Sequence, residues 1–276
     1  MLALGEVSCR YEDRLAVVSI ANRNKLNAMS RHMWQQLRSV FNSIQINKNI
    51  GCVIILGENS TDSIKSFSAG GDISEYPSFR FNEASLREFH EVDVWGGLNA
   101  MLSCDVPIVA QIEGSCMGAG LEIASCCDIR IAGVSSKFGA PIAKLGFPMA
   151  PKEAALVINA VGELTAREML LEAAVFDADM ISQRGFLNRV VADADVADSA
   201  MLSVNHILAL APQAARLNKQ TFRGLNKPLA HVFIADTAIN SIVNPADESY
   251  AYAASAEHQE GISAFIAKRK PIWTKE

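Results

Sequence analysis

The stretch GSCMGAGLEIASCCDIRIAG, residues 114–133, sets the carboxylate of Glu122 among small and apolar neighbours. Just ahead of it, Gly118, Ala119 and Gly120 offer almost nothing but backbone. The first N–H groups of a helix have no partner within it, and the helix dipole makes that end positive. A helix opening near Gly118 would aim the N–H groups of 118–120 outward, where a ligand oxygen can approach. That is half of an oxyanion hole, with Glu122 in the first turn to move a proton. Leu121, Ile123, Ala124, Cys126 and Cys127 leave little polar surface for Glu122 to serve as a solvated helix-end charge.

A second bare turn, SFSAGGDIS (66–74), follows the apolar run CVIIL and brings together Ala69, Gly70 and Gly71. Two such turns, each after a strand, lie where α/β sheets bind ligands. One N–H from each suits a single carbonyl oxygen. Two other chemistries compete for the first stretch. GAGLEI completes only half of a dinucleotide fingerprint, and no phosphate-binding GxxxxGK[ST] occurs. Gly114–Gly118 reads GxCxG between a strand and a helix, so Cys116 is a candidate hydrolase nucleophile. Asp128, Asp177, His206, His231 and His258 would be its possible partners. The simpler reading is a small cysteine packed in a tight turn, and Cys116 is expected not to act as a nucleophile.

The elements around these turns are legible. EVSCRYEDRLAVVSIA (6–21) alternates about a turn and predicts an N-terminal hairpin. Ser30 predicts a helix N-cap, followed by Met33, Leu37, Val40, Phe41 and Ile44 at helical spacing. CVIILG (52–57) is a short buried strand, ENSTDSIKS (58–66) a polar loop and PIVAQIEG (107–114) a second strand. Between them a helix over about 83–103 carries Phe89, Trp95, Leu98 and Leu102. Alternating strands and helices predict an α/β domain with a largely parallel sheet. Strand signals vanish after about residue 195. A boundary near 195–210 then separates an α/β core, residues 1–200, from a helical C-terminal region, residues 201–276.

The 276 residues are half hydrophobic, enough for a large core, and carry a net charge of −5 with both signs interspersed. No basic stripe points to nucleic acid or an anionic membrane as a partner. No apolar run reaches the roughly 18 residues of a spanning helix. The N-terminus has no signal-peptide pattern. Cys9, Cys52, Cys104, Cys116, Cys126 and Cys127 fall in apolar segments without a CxxC pair. They are expected to be small buried hydrophobes in a reducing cytoplasm, with no metal.

Read together, these motifs resemble the crotonase family, the enoyl-CoA hydratase/isomerase superfamily. NRNKLNAMS (22–30) is similar to its CoA-binding segment, and the two bare turns to its two oxyanion motifs. FGAPIAKLGFP (138–148) and EGISAFIAKRKP (260–271) also fit, so the likeness covers nearly the whole chain. The resemblance implies an α/β fold, a crotonase-like spiral of ββα units closed by a helical C-terminal trimerisation region. It implies a homotrimer or a dimer of trimers. It implies an acyl-CoA substrate, with coenzyme A as part of that substrate and no separate cofactor. The oxyanion donors would be the N–H groups of Gly71 and Ala119, flanked by Ala69, Gly70 and Gly118, with Glu122 as acid/base. Lys25, Leu26 and Ala28 would line the adenine and pantetheine side, and Lys268 would approach the CoA phosphates. Ile142 and Phe147, with Met149, suggest an apolar acyl pocket.

One departure matters. Family hydratases hold water between two glutamates. Glu122 matches the first, but the second would fall at Ile142, which cannot exchange a proton. Glu91, Asp93 and His90 are candidate substitutes, each expected rather as a solvated loop residue. With Glu122 alone, hydration is expected to be slow, while α-proton exchange or double-bond migration survives. A different class of reading is an acyl-CoA-binding paralogue with little catalysis.

Overall fold

The computed structural model describes residues 5–58, 64–225 and 251–272. His231, residues 59–63 of the polar loop, and residues 226–250 and 273–276 of the helical region lie outside the described residues. Strands β1 (Glu6–Glu12) and β2 (Leu15–Ala21) form the expected hairpin, with Glu12 opposite Leu15. Helix α1 (Arg31–Ile46) starts at Ser30, whose Oγ accepts from Met33 N–H at 3.2 Å. Its apolar stripe, Met33, Trp34, Leu37, Phe41 and Ile44, is buried.

A repeated unit follows: a long strand, a short strand, then helix. β3 (Cys52–Gly57) leads to β4 (Ser66–Ser68) and a helical segment. β5 (Ile108–Ile112) leads to β6 (Ser115–Met117). The short helix over Ala119–Ser125 comes next. β7 (Ile129–Gly133) leads to β8 (Lys137–Gly139). The long strands build a six-stranded sheet of order β1-β2-β3-β5-β7-β10, parallel except at the hairpin, with β10 at Arg189–Val191. The short strands build a second sheet of order β4-β6-β8-β9, with β9 (Val175–Asp177) antiparallel on β8. Both sheets advance one unit at a time, which is the ββα spiral. In each short strand the middle residue points inward. Phe67, Cys116 and Phe138 are fully buried side by side, so Cys116 is a packing element of the second sheet. Its bulk, not its sulfur chemistry, is what the strand uses.

The segment 83–103 is helical, but not one regular helix. α2 (Glu83–Glu88) passes through a π-helical turn, Phe89–Val94, into α3 (Trp95–Ser103). The wide turn packs Phe89, His90, Asp93 and Val94 inside. A π turn inserted in a helix is uncommon and falls often at functional sites. The expectation of solvated loop residues here is therefore corrected. His90 and Asp93 are buried and helical, and Glu91 is half-buried against Lys152. Asp93 is consumed structurally, accepting from Arg31 Nε at 2.5 Å and from Gln35 at 2.8 Å.

The short helix Ala119–Ser125 is α4. Helices α5 (Pro151–Val161), α6 (Glu163–Leu171) and α7 (Ala178–Gln183) follow it. Beyond β10 the described residues form α8 (Val196–Leu208), α9 (Pro212–Leu225) and α10 (Ala256–Ile266). No described helix is long and apolar enough to cross a membrane. α10 returns to the core and lies so close to the turn after β8 that a Cβ on Gly261 would fall 2.3 Å from Leu145 backbone.

Candidate active site

Both bare turns leave the C-terminal ends of neighbouring short strands, β4 and β6, so they reach the same place. After β4, Met29 N–H donates to Gly70 O at 2.8 Å, and Asp72 N–H donates to Met29 O at 2.8 Å. Those two bonds straddle Gly71, whose own N–H therefore points to the opposite side. After β6, Gly118 turns at φ +46, a backbone that favours glycine, and α4 begins. Gly120 lets α4 settle on β4, since a Cβ there would meet Ser68 O at 2.7 Å. Glu122 N–H closes the first turn onto Gly118 O at 3.0 Å, leaving the Ala119 N–H without an intrahelical acceptor. Gly118 N–H is not available, contrary to the expected outward amides of 118–120, because it donates to Gly139 O at 2.9 Å. Among the described residues, neither the Gly71 nor the Ala119 N–H has an acceptor.

Both residues line a cavity of about 50 Å³ with Glu122, Glu153, His90 and Arg80. Glu122 is buried, as its apolar helix implied. Its carboxyl has no hydrogen-bond partner among the described residues. Burial first, then repulsion from Glu153, holds its pKa well above the usual carboxylate range, against the pull of Arg80. Glu153, in the first turn of α5, is the second carboxylate. It is buried, and His90 Nδ1 lies 2.7 Å from its Oε1. Its pKa is pushed up to about 8, by burial first, with Arg80 opposing the rise and Glu91 adding to it. Position 142 indeed supplies no proton carrier. The correction is that Glu153 brings one from 11 residues further along, so Glu122 is not alone.

Sequence reasoning missed Glu153, Arg80 and Tyr76. A signal for Glu153 existed: it falls in the buried stripe Glu153, Leu156, Val157, Val161 of α5. A glutamate in the first turn after Pro151 is easily read as a charge favoured by the helix dipole. Tyr76 sits across from Gly71, where a Cβ would come 2.0 Å from its hydroxyl oxygen. Burial pushes the Tyr76 hydroxyl up to about 12, with Arg80 opposing.

A wider cavity of about 320 Å³ adjoins, sharing Gly71, Tyr76, Gly118, Ile142 and Phe147 with the chamber. Ala69 and Gly70 line it too; of the expected acyl-pocket residues, Ile142 and Phe147 line both cavities and Met149 only the chamber. Phe265 and Arg269 of the C-terminal segment close its far side. Lys25, Leu26 and Ala28 line neither cavity. Lys25 is held by Asp72 at 2.6 Å, and Leu26 O anchors the first bare turn by accepting from Ala69 N–H at 2.9 Å. Lys268 is exposed just beyond α10 and also lines neither; Arg269, paired with Glu260, lines the wider one.

Among the described residues, which leave out His231, the alternative constellation does not assemble. Burial and Cys127 raise the Cys116 thiol well above its ordinary pKa, and that thiol has no hydrogen-bond partner among the described residues. Asp128 pairs with Lys219, Asp177 caps α7, His206 is exposed and His258 bonds Arg80.

The chain is similar to known proteins over almost its whole length. The family model described as enoyl-CoA hydratase/isomerase matches residues 10–276. A short-chain-enoyl-CoA hydratase of Clostridium acetobutylicum is 29% identical over 275 residues, 98% of this chain and 97% of that one. A crotonyl-CoA hydratase of Syntrophomonas wolfei is 27% identical over 272 residues, 98% of each chain. Among solved structures, an enoyl-CoA hydratase/carnithine racemase of Magnetospirillum magneticum is 32% identical, with TM-score 0.76 over 98% of this chain and 96% of that one. Methylmalonyl-CoA decarboxylase complexed with 2S-carboxypropyl-CoA is 25% identical, with TM-score 0.83 over 98% of each chain.

Proposed function

The chain belongs to the enoyl-CoA hydratase/isomerase family, and on that premise we propose that it adds water across the 2,3 double bond of a short enoyl-CoA thioester, and removes it in reverse. The observation that carries this reading is the buried chamber that holds Glu122 and Glu153 beside the free N–H groups of Gly71 and Ala119. In the proposed step the thioester oxygen accepts from both amides. As charge moves onto that oxygen, the two preorganised donors stabilise the enolate. Loss of one such donor costs on the order of 3 kcal/mol where it has been tested.

The two carboxyls take different roles because their surroundings differ. Glu153 faces a hydrogen-bond donor, His90, and the Arg80 cation, both of which favour its ionised form. Glu122 also feels Arg80 but has no hydrogen-bond donor among the described residues, and burial and a neighbouring carboxylate favour its protonated form. Once ionised, which burial delays to about pH 8, Glu153 takes the proton of the attacking water, and Glu122 supplies the proton to the α-carbon. The chamber, about 50 Å³, is large enough for a water and small enough to favour short acyl groups. The adjoining apolar cavity suits the pantetheine arm.

A homotrimer, alone or as a pair of trimers, completes the proposal. Leu217, Phe222 and Leu225 on α9 are exposed, an apolar surface of the kind that marks interfaces.

The test is crotonyl-CoA turnover by the wild type, with α-proton exchange of butyryl-CoA in deuterated water as the companion reaction. Both are expected, and Glu122→Gln abolishes both. Exchange without hydration would return the account to a single working carboxylate. Binding of CoA thioesters with neither reaction would identify the non-catalytic paralogue.

A further inference from the structure

Arg80 is a fully buried cation with no carboxylate among its hydrogen-bond partners. Its guanidinium lies over the rings of Phe147 and Tyr76, with Cζ 3.9 and 4.4 Å from the centroids. Its Nε lies 3.3 Å from Nε2 of His258, and one terminal nitrogen lies 3.4 Å from Nε2 of His90. The other terminal nitrogen has no partner among the described residues. A guanidinium only donates hydrogen bonds. Both imidazoles must then accept at Nε2, so each is neutral and carries its proton on Nδ1. The far sides agree. His258 Nδ1 faces Ala253 O at 3.0 Å, and His90 Nδ1 faces Glu153 Oε1 at 2.7 Å. Burial, with the charge of Arg80, pushes His258 down to about 4 and His90 well below its ordinary value. Neither ring charges at neutral pH.

These contacts join two distant parts of the chain. His258 belongs to α10, whose Gly261 and Phe265 line the wider cavity. His90 belongs to the π turn, and Glu153 to α5. We propose that Arg80 and His258 are positioning residues: His258 on the C-terminal helix orients Arg80, Arg80 fixes the Nδ1–H tautomer of His90, and His90 thereby presents a donor to Glu153. Seating of the C-terminal helix around the substrate is in this way coupled to the state of the proposed base. Among the described residues, the groups facing the relay include Arg80, Tyr76, His90, Glu91 with its partner Lys152, Glu122, Glu153 and His258. Of these, only Arg80 and Lys152 are cationic at neutral pH. Arg80 faces both carboxyls, whereas Lys152 is spent on Glu91.

This inference rests on the hydration reading, so its test has one arm that needs substrate and one that does not. In the first, the rising limb of the kcat–pH profile for crotonyl-CoA reports ionisation of the base. Arg80→Gln moves that limb up by about one to three pH units, the effect of losing a cation at close range. His258→Leu, which loses the acceptor, moves it in the same direction, whereas His258→Gln, which retains one, restores it. Phe265→Ala, in the wider cavity, raises KM and leaves the limb in place. In the second arm, solid-state NMR of protein labelled with ¹⁵N-histidine reads tautomers directly, with His90→Gln and His258→Gln for assignment. The wild type shows both rings neutral with the proton on Nδ1. An Nε2-protonated His90, or an unmoved limb in both Arg80→Gln and His258→Leu, overturns the relay. Absence of turnover with the expected tautomers would refute the hydration reading and leave the relay standing.

Discussion

Glu153 is where burial and chemistry meet at the scale of single residues. Folded, it keeps its proton up to about pH 8; unfolded, it releases it near 4.5. Between those values the folded chain binds more protons than the unfolded one, so stability falls as pH rises. Above about 8 the penalty is complete, and below 4.5 it is absent. Glu153→Gln mimics the protonated form and still accepts from His90. Its melting temperature should therefore exceed that of the wild type at pH 8, by a margin worth a few kcal/mol, and converge on it toward pH 4.5. A pH-independent difference would show that Glu153 titrates normally. Cys116 gives the opposite case, a reactive residue type used for bulk. Cys116→Ala should leave acyl-CoA turnover within a few-fold of wild type while lowering stability, by about 1–3 kcal/mol for a truncated buried side chain. A covalent acyl adduct on Cys116, seen by mass spectrometry, would revive the hydrolase reading.

Among the elements, those set by local rules were legible in the sequence. The hairpin, the Ser30 cap, α1, β3 and the two bare turns each follow from alternation, capping or glycine placement within one window. What escaped was whatever depended on contact between windows. The π turn has no local signature, so His90 and Asp93 read as loop residues although the structure buries them. The short strands β8, β9 and β10 hold three residues each and carry too little pattern to be seen. Arg80, between Phe79 and Phe81, gave no hint that two histidines and two aromatic rings would enclose it. The bare turns also make a prediction at this scale. Gly120→Ala drives a Cβ against Ser68 O at 2.7 Å and must part α4 from β4, displacing the Ala119 N–H. It should lower kcat more than tenfold, with a smaller effect on CoA binding measured by calorimetry. A normal kcat would mean that the amide of Ala119 does not act on the substrate.

At the scale of the whole molecule, the spiral delivers two backbone turns to one place, while α4, α5, the π turn and α10 surround it with titratable groups. The resemblance read from motifs named both turns but did not point to Glu153, because it looked for the second carboxylate at position 142 and among His90, Glu91 and Asp93. The ligand's charged end is a property of the surface. Lys268 stands exposed beside Arg269, which is already paired with Glu260. If Lys268 meets the CoA phosphates, Lys268→Ala weakens CoA binding more at low salt than at high salt, and equal losses would exclude a screened charge contact. The central claim, that two carboxyls from different helices divide one hydration, is tested most directly by Glu153→Gln. Crotonyl-CoA hydration and butyryl-CoA α-proton exchange are measured on the same preparation. Hydration should fall by about 10²–10⁴-fold with KM little changed, while exchange persists through Glu122. Hydration within a few-fold of wild type would contradict it.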